Sequence, residues 1–427
     1  MLQRQTRIPE DPVIRPLLRT SRAYYILAGI LLIPVLWFLY AWYTQLTQGL
    51  IVTDMRTPVG AAWGIYISSF VYFACMAHGG MAISAAVRLF NLNQYRVIAR
   101  MGEVLTAVAI LMAGMCIVID MGRPERVINM ILYWPERVLF SPLTWDMTVI
   151  ILYFTMSTSY VWLTMRKDLL KYAGRFSIRG TLYRSLLHGY SPDHEPEINR
   201  TAKWIAVAVL VLIVMLSGGV IPWIFGLQSG RPGWFGAMAG PYFLTAALAT
   251  SIAAVILIAS ILRKIYGWQS LIKVEIFRGL GIVLGVLTHI YIYLTIAEQF
   301  TMRYAASHAE AAVSEILLQG EFAPVYWVML VAGLAIPALA LIGQSIKKQW
   351  FSLKITVISS VVILVAFWVK RFLIVVPSLL RQIMPFPTGT YFPSWVEWSA
   401  IAGIFALAVL LYMVFIKVFP IMESEEE

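Results

Sequence analysis

Along this chain, long apolar stretches alternate with short polar breaks, and the stretches match the thickness of a bilayer. A helix needs about 20 predominantly apolar residues to cross the hydrocarbon core. Reading apolar runs between charged or turn-rich breaks predicts ten such helices, over 23–46, 61–89, 102–120, 142–165, 204–226, 236–262, 276–299, 323–346, 351–377 and 395–419. The expected fold class is therefore all-α and transmembrane, with one polytopic domain over 23–419 between a lead-in, 1–22, and an acidic tail, 420–427. The lead-in contains Asp11, Pro12 and several arginines and lacks the apolar core and small-residue cleavage site of a signal peptide, so it is expected to stay on the chain.

The breaks predict an orientation. Of the 33 Lys and Arg residues, 24 fall on the side that holds the N-terminus and 7 on the other, with Lys370 and Arg371 inside the ninth span. Cytoplasmic loops retain cations, so both termini are expected in the cytoplasm. The longest connection on that side, about 166–203, is polar and reads as a loop. On the other side 121–141 and 300–322 mix charges with aromatic and apolar residues and are the surfaces expected to meet a partner. Trp134, Trp145, Trp223, Trp234, Tyr326, Trp327, Trp395 and Trp398 fall near the ends of spans on that side, where an aromatic belt belongs.

Composition then narrows the function. With 60% apolar and 13% charged residues, a soluble globular enzyme is excluded. The net charge of +11 lies between apolar runs and does not build a nucleic-acid surface. Cys75 and Cys116, each inside an apolar run, cannot supply the four thiolates of an iron–sulfur cluster, so any cluster must sit on a partner.

Ionisable residues inside spans are costly unless paired, hydrated or neutral, which makes each a candidate for function. His78 lies among small residues in Ala77-His78-Gly79-Gly80, which allow either close helix packing or a ligand. Asp120 opens Asp120-Met121-Gly122-Arg123-Pro124-Glu125-Arg126, where the carboxylate and Arg123 are spaced to pair on one turn. Asp146 follows Ser141-Pro142 in the first turns of the fourth span, where the helix dipole favours an acid. Lys370 and Arg371, costly like Glu298 if they face lipid, could pair with acids such as Asp120 or Asp146, while Glu103 and Glu275 either admit protons or are solvated helix-end acids. A histidine with carboxylates in an apolar bundle suits a quinone: its carbonyls need hydrogen-bond partners, and its reduction takes up two protons that imidazole and carboxyl groups can relay.

The segment from Trp63 to about Trp162 resembles the NrfD/PsrC family of integral membrane subunits. The residues that carry the resemblance are Trp63-Gly64-Ile65-Tyr66, His78-Gly79-Gly80 with Ile83-Ser84-Ala85, Gly122-Arg123-Pro124-Glu125-Arg126 and Ser141-Pro142-Leu143-Thr144-Trp145-Asp146. Pro241-Tyr242-Phe243 and the run from Lys370 to Leu379 extend it over most of the chain. Ten spans and the tail Tyr391-Phe392-Pro393-Ser394-Trp395 are most similar to the branch holding ActC of alternative complex III and QrcD of a menaquinone reductase complex.

The resemblance implies two four-helix bundles, spans two to five and six to nine, with a flanking helix at each end of the chain. It implies a subunit without haem or iron–sulfur cluster of its own, binding menaquinone or another quinone near the periplasmic face of a bacterial inner membrane. Its expected partners are a periplasmic iron–sulfur subunit, a multihaem cytochrome c and further membrane subunits, with electron exchange and coupling to proton translocation. Carried across by position, His78, Asp120 and Asp146 are the expected catalytic residues and His78, Tyr66, Asp120, Arg123 and Asp146 the quinone-binding ones. Glu103, His289, Glu298, Lys370 and Arg371 are expected on a proton path. Two alternatives compete: a b-type cytochrome with His78 and His289 as axial ligands, and a proton-coupled transporter, for which Gly218-Gly219 with Pro222 is the one broken-helix signal.

Overall fold

In hydrocarbon no water satisfies the backbone, so a spanning segment closes its own hydrogen bonds as a helix. The structure, a computed structural model, describes residues 12–18, 20–57, 61–236, 238–304, 307–381 and 389–423. Most of the expected lead-in, 1–11 and 19, and the end of the acidic tail, 424–427, lie outside the described residues. Ten helices are long and apolar enough to cross a membrane: α1 (Arg22–Gln48), α2 (Ile65–Leu89), α3 (Asn93–Asp120), α4 (Pro142–Ala173), α5 (Pro192–Gly226), α6 (Ala239–Tyr266), α7 (Val274–Tyr304), α8 (Ala323–Ile346), α9 (Leu353–Leu380) and α10 (Trp395–Val418). The chain is a multi-pass integral membrane protein, all-helical among the described residues.

The apolar pattern located every span but cut three of them short. α3 begins nine residues before the expected 102, α5 begins twelve before 204, and α4 runs eight past 165. Hydropathy stops at a charge, whereas a helix continues wherever the charge finds a partner. Arg100 of α3 donates to Asp168 of α4 at 2.5 Å, and both are buried. The connections contain short helices of their own: 166–203 contains Ile178–Leu186, 121–141 contains Val127–Leu132 and Trp134–Arg137, and 300–322 contains His308–Leu318. Two of the expected belt aromatics are interior. Trp234 stacks on Trp63 with ring centroids 5.5 Å apart and donates to the Ile374 carbonyl, and Tyr326 is buried in the second bundle.

Helix packing resolves the spans into two closed four-helix bundles. In the first, α2 packs on α3 and α5, and α4 packs on α3 and α5; in the second, α6 packs on α7 and α9, and α8 packs on α7 and α9. α2 joins the bundles by packing on α6 and α9, and its apolar window is the most buried of the ten. The flanking helices do not sit apart: α1 and α10 pair with each other beside the first bundle, α10 against α3. Small residues permit the closest approaches, since a side chain at Gly80 would strike the Gly102 carbonyl of α3 and one at Gly79 the Ala247 carbonyl and Ser251 of α6. The small neighbours of His78 therefore serve helix packing.

Both ends of the first bundle are closed. At the end where most Lys and Arg lie, here the basic face, Arg100 donates to the carbonyls of Pro420 and Met422 and draws the segment after α10 across the bundle, with Ile421 and Met422 buried. At the opposite face the Glu397 carboxylate accepts from Asp54 N, Ser394 N and Tyr391 Oη, and that same phenol accepts from Ile65 N–H at 2.9 Å. Burial, and then the Glu397 charge, push the Tyr391 pKa well above that of a free phenol, so it stays protonated as a donor.

Candidate functional site

α2 places His78 near its middle, 13 residues from one end and 11 from the other, and 1% exposed. Helical periodicity aims the side chain into the first bundle, where three neighbours meet it. Its Nδ1 lies 2.6 Å from Ser217 Oγ of α5; its ring and that of Tyr153 of α4 meet at 80° with centroids 4.8 Å apart; and Tyr153 Oη donates to the His78 carbonyl at 3.1 Å. Its Nε2 is buried and has no hydrogen-bond partner. Ser217 reaches the ring from a π-helical turn, Leu216–Val220, where α5 widens. The Gly218-Gly219 signal thus marks a widened turn inside a continuous helix, not a break between half-helices.

The residues expected to share a site with His78 are elsewhere. Tyr66 and His78 are twelve residues apart on α2, about 18 Å of helix rise. Tyr66 is buried at the opposite face, where its hydroxyl donates to Gln45 Oε1 of α1, whose Nε2 donates to the Ile119 carbonyl. Asp120 belongs to this same region. Its Oδ2 accepts from Arg56 at 2.7 Å, not from Arg123, which is exposed; Oδ1 is buried without a hydrogen-bond partner. The expected Asp120–Arg123 pair fails because the helix ends at Asp120 and Gly122 turns the chain with φ of 69°, while the loop before α2 brings Arg56 over the carboxylate. Asp146 is buried and has no hydrogen bond or ion pair among the described residues. It lies seven residues from Tyr153, about 10 Å of helix rise from the His78 level toward the opposite face.

The remaining expectations separate in the same way. Glu103 is no solvated helix-end acid: it is fully buried near the basic face, accepts from Ser84 Oγ at 2.5 Å, and lies in a chain that continues through Tyr160 and Arg88 to Glu423. Glu275, by contrast, is exposed. In the second bundle Lys370 pairs with Glu298 at 3.3 Å, which replaces the expected pairing with Asp120 or Asp146. Its ammonium sits 5.3 Å from the Tyr242 ring and 5.6 Å from that of Tyr326. Arg371 packs under the Phe243 ring and donates to Cys75 Sγ at 3.7 Å, with Nε and Nη1 unpaired. His289 is half-buried on α7 and bonds the Gly285 carbonyl of its own helix. His78 and His289 belong to different bundles, so an axial pair between them is not assembled.

Sequence reasoning missed Ser217, Tyr153, Gln45, Arg56, Tyr391 and Glu397. Hydroxyls and amides in apolar runs are too common to stand out, and Arg56 lies 64 positions from Asp120 and Ser217 139 from His78. The one available signal was the glycine pair following Ser217.

Comparison with known proteins places the chain in a family. A family model described as polysulphide reductase, NrfD, matches residues 52–384. A Halobacterium salinarum protein provisionally named as a membrane subunit of dimethyl sulfoxide reductase is 31% identical over 323 residues, 75% of this chain and 70% of that protein. A subunit of selenate reductase from Mesobacillus selenatarsenatis is 24% identical over 410 residues, covering 90% of this chain and 91% of its own. The integral membrane subunit of menaquinone reductase from Nitratidesulfovibrio vulgaris is 20% identical over 412 residues, 92% of this chain and 90% of its own.

Proposed function

The chain belongs to the NrfD family of membrane subunits, and from that premise we propose that it is the quinone-reactive membrane subunit of a multisubunit oxidoreductase, exchanging electrons with an iron–sulfur partner. The observation that carries this reading is the buried, unpartnered Nε2 of His78, held in the first bundle between Ser217 and Tyr153. A buried polar atom without a partner is rare in a folded chain and calls for a ligand atom or water. The ring carbonyl of a quinone fits it: a polar atom on a largely apolar molecule, matched to one polar atom in an apolar bundle. Relatives named as subunits of selenate and menaquinone reductases support the assignment to such complexes.

The bound quinone would take up two electrons and two protons. His78 orients one ring oxygen and holds a proton at Nε2, while Ser217 and the Tyr153 ring fix the imidazole plane. Asp146, about 10 Å nearer the opposite face and unpaired, stands where a proton could be taken up from that side. Glu103 offers a second buried carboxyl near the basic face; Glu298, Lys370 and Arg371 form a separate polar group in the second bundle that we assign to proton movement there. The positive-inside rule puts the basic face in the cytoplasm, so the partner would dock on the opposite face over 121–141 and 300–322. There Ile128, Leu132, Tyr133, Leu139 and Phe140 are exposed.

Organic extraction of the purified complex tests this reading, run beside a reduced-minus-oxidised absorption spectrum. The expected result is about one quinone per chain in the native complex, falling more than tenfold in His78→Ala while the subunits still co-purify. Equal quinone content in the two proteins would overturn it.

A further inference from the structure

Several serine and threonine hydroxyls buried in these spans give their proton to a carbonyl one turn back. Thr250, Ser251, Thr288, Thr295 and Ser360 donate in this way to Ala246, Ala247, Leu284, Tyr291 and Thr356. Ser217 does not. It is fully buried in the widened turn of α5, and its one side-chain hydrogen bond is the 2.6 Å contact with His78 Nδ1.

That contact has two possible directions with different consequences. If Nδ1 carried the proton and donated to Ser217 Oγ, the serine O–H would be left buried with no acceptor. If the serine donates to Nδ1, its hydroxyl is satisfied and the imidazole proton sits on Nε2. The first arrangement leaves two buried groups unmatched, the serine O–H and the Nε2 lone pair, whereas the second leaves one, the Nε2–H, which a ligand oxygen can accept, so the second arrangement prevails. We propose that Ser217 is a positioning residue that holds neutral His78 in its Nε2–H tautomer, so that the histidine presents a donor to the core of the first bundle and recognises a ligand oxygen that has lone pairs and no hydrogen.

The tautomer follows from contacts within the chain. Its consequence for the ligand rests on the quinone reading: a quinone carbonyl is acceptor-only, whereas a quinol hydroxyl brings a proton that needs an acceptor. Tyr153 Oη already donates to the His78 carbonyl, and Ser217 is occupied by Nδ1. The site therefore favours the oxidised form at this oxygen.

Nitrogen-15 magnetic resonance of the histidine-labelled full-length protein in its complex tests the tautomer, with the His78 signals among five histidines identified by their loss in His78→Gln. The expected spectrum has a pyridine-like Nδ1 and a pyrrole-like Nε2, kept in Ser217→Thr and shifted toward a mixture in Ser217→Ala. A pyrrole-like Nδ1 in the native protein would overturn the proposal, and the native spectrum decides even where Ser217→Ala does not fold. The second readout is binding of a short-tailed menaquinone analogue, oxidised against reduced. A preference for the oxidised form that falls about tenfold in Ser217→Ala and survives in Ser217→Thr is expected, being one hydrogen bond's worth of discrimination. A preference indifferent to Ser217, with the tautomer as expected, would overturn the ligand assignment alone.

Discussion

The two bundles share one architecture and have opposite interiors. The first keeps its charges at its ends. Asp120 with Arg56 lies at the opposite face, and Arg100 with Asp168 near the basic face, while the level of His78 holds an imidazole, a hydroxyl and a phenol ring. The second carries Lys370 and Arg371 in mid-helix, held by Glu298 and by the faces of Tyr242, Tyr326 and Phe243. An ion in a low-dielectric core is stabilised only by partners fixed beside it, and Lys370 has them in Glu298 and two rings, whereas Arg371 keeps Nε and Nη1 unpaired. The level of His78 in the first bundle holds neutral side chains and leaves Nε2 without a partner, so it can accept a neutral ligand. The proposed quinone site accordingly lies in the first bundle and not in the second.

The comparison is broken most severely by removing a charge from the second bundle. Glu298→Ala leaves Lys370, 1% exposed, without its counter-charge, and although Glu298 itself is 26% exposed a destabilisation of about 3 kcal/mol is expected for the buried ammonium left unpaired. It is measured as loss of folded complex on thermal challenge in detergent, and Glu298→Gln combined with Lys370→Met should recover most of it. No loss in the single variant would mean that the interior charges are not committed to each other.

A smaller effect is expected at the end of the first bundle. Arg56→Ala removes a partner that is 35% exposed from Asp120, so solvent screens the pair and about 1 kcal/mol is expected, decreasing in high salt. A loss as large as that of Glu298→Ala would erase the distinction between charges at ends and charges inside. The smallest change belongs to the strap at the basic face. Glu423→Lys replaces the 3.4 Å contact with Arg88 by a repulsion between half-buried groups, and under about 1 kcal/mol is expected, because Arg100 still holds the Pro420 and Met422 carbonyls. Melting in detergent checks both, and a sharper loss for Glu423→Lys than for Arg56→Ala would reverse the ranking of the two ends.

Much of the scaffold was legible in the residues. Ten apolar runs marked ten spans, because a bilayer demands a minimum apolar length and helical closure of every backbone bond, and both demands are local in sequence. His78 stood out for the same reason, as an ionisable group where lipid tolerates few. The two-bundle arrangement was expected from resemblance and is present in the packing.

Which polar groups meet was decided by tertiary structure. Sequence spacing suggested Arg123 for Asp120, but the loop before α2 supplies Arg56 from 64 positions away. Nothing in the sequence joined Ser217 to His78 across 139 positions, and their contact depends on a widened turn in α5. The helix ends at Arg100 and Asp168 were hidden as well, since hydropathy treats each charge alone and only packing cancels one against the other. Length and polarity are properties of a segment and can be read in order along the chain. Partner identity is a property of helix register and crossing, which the chain acquires only when its faces come together.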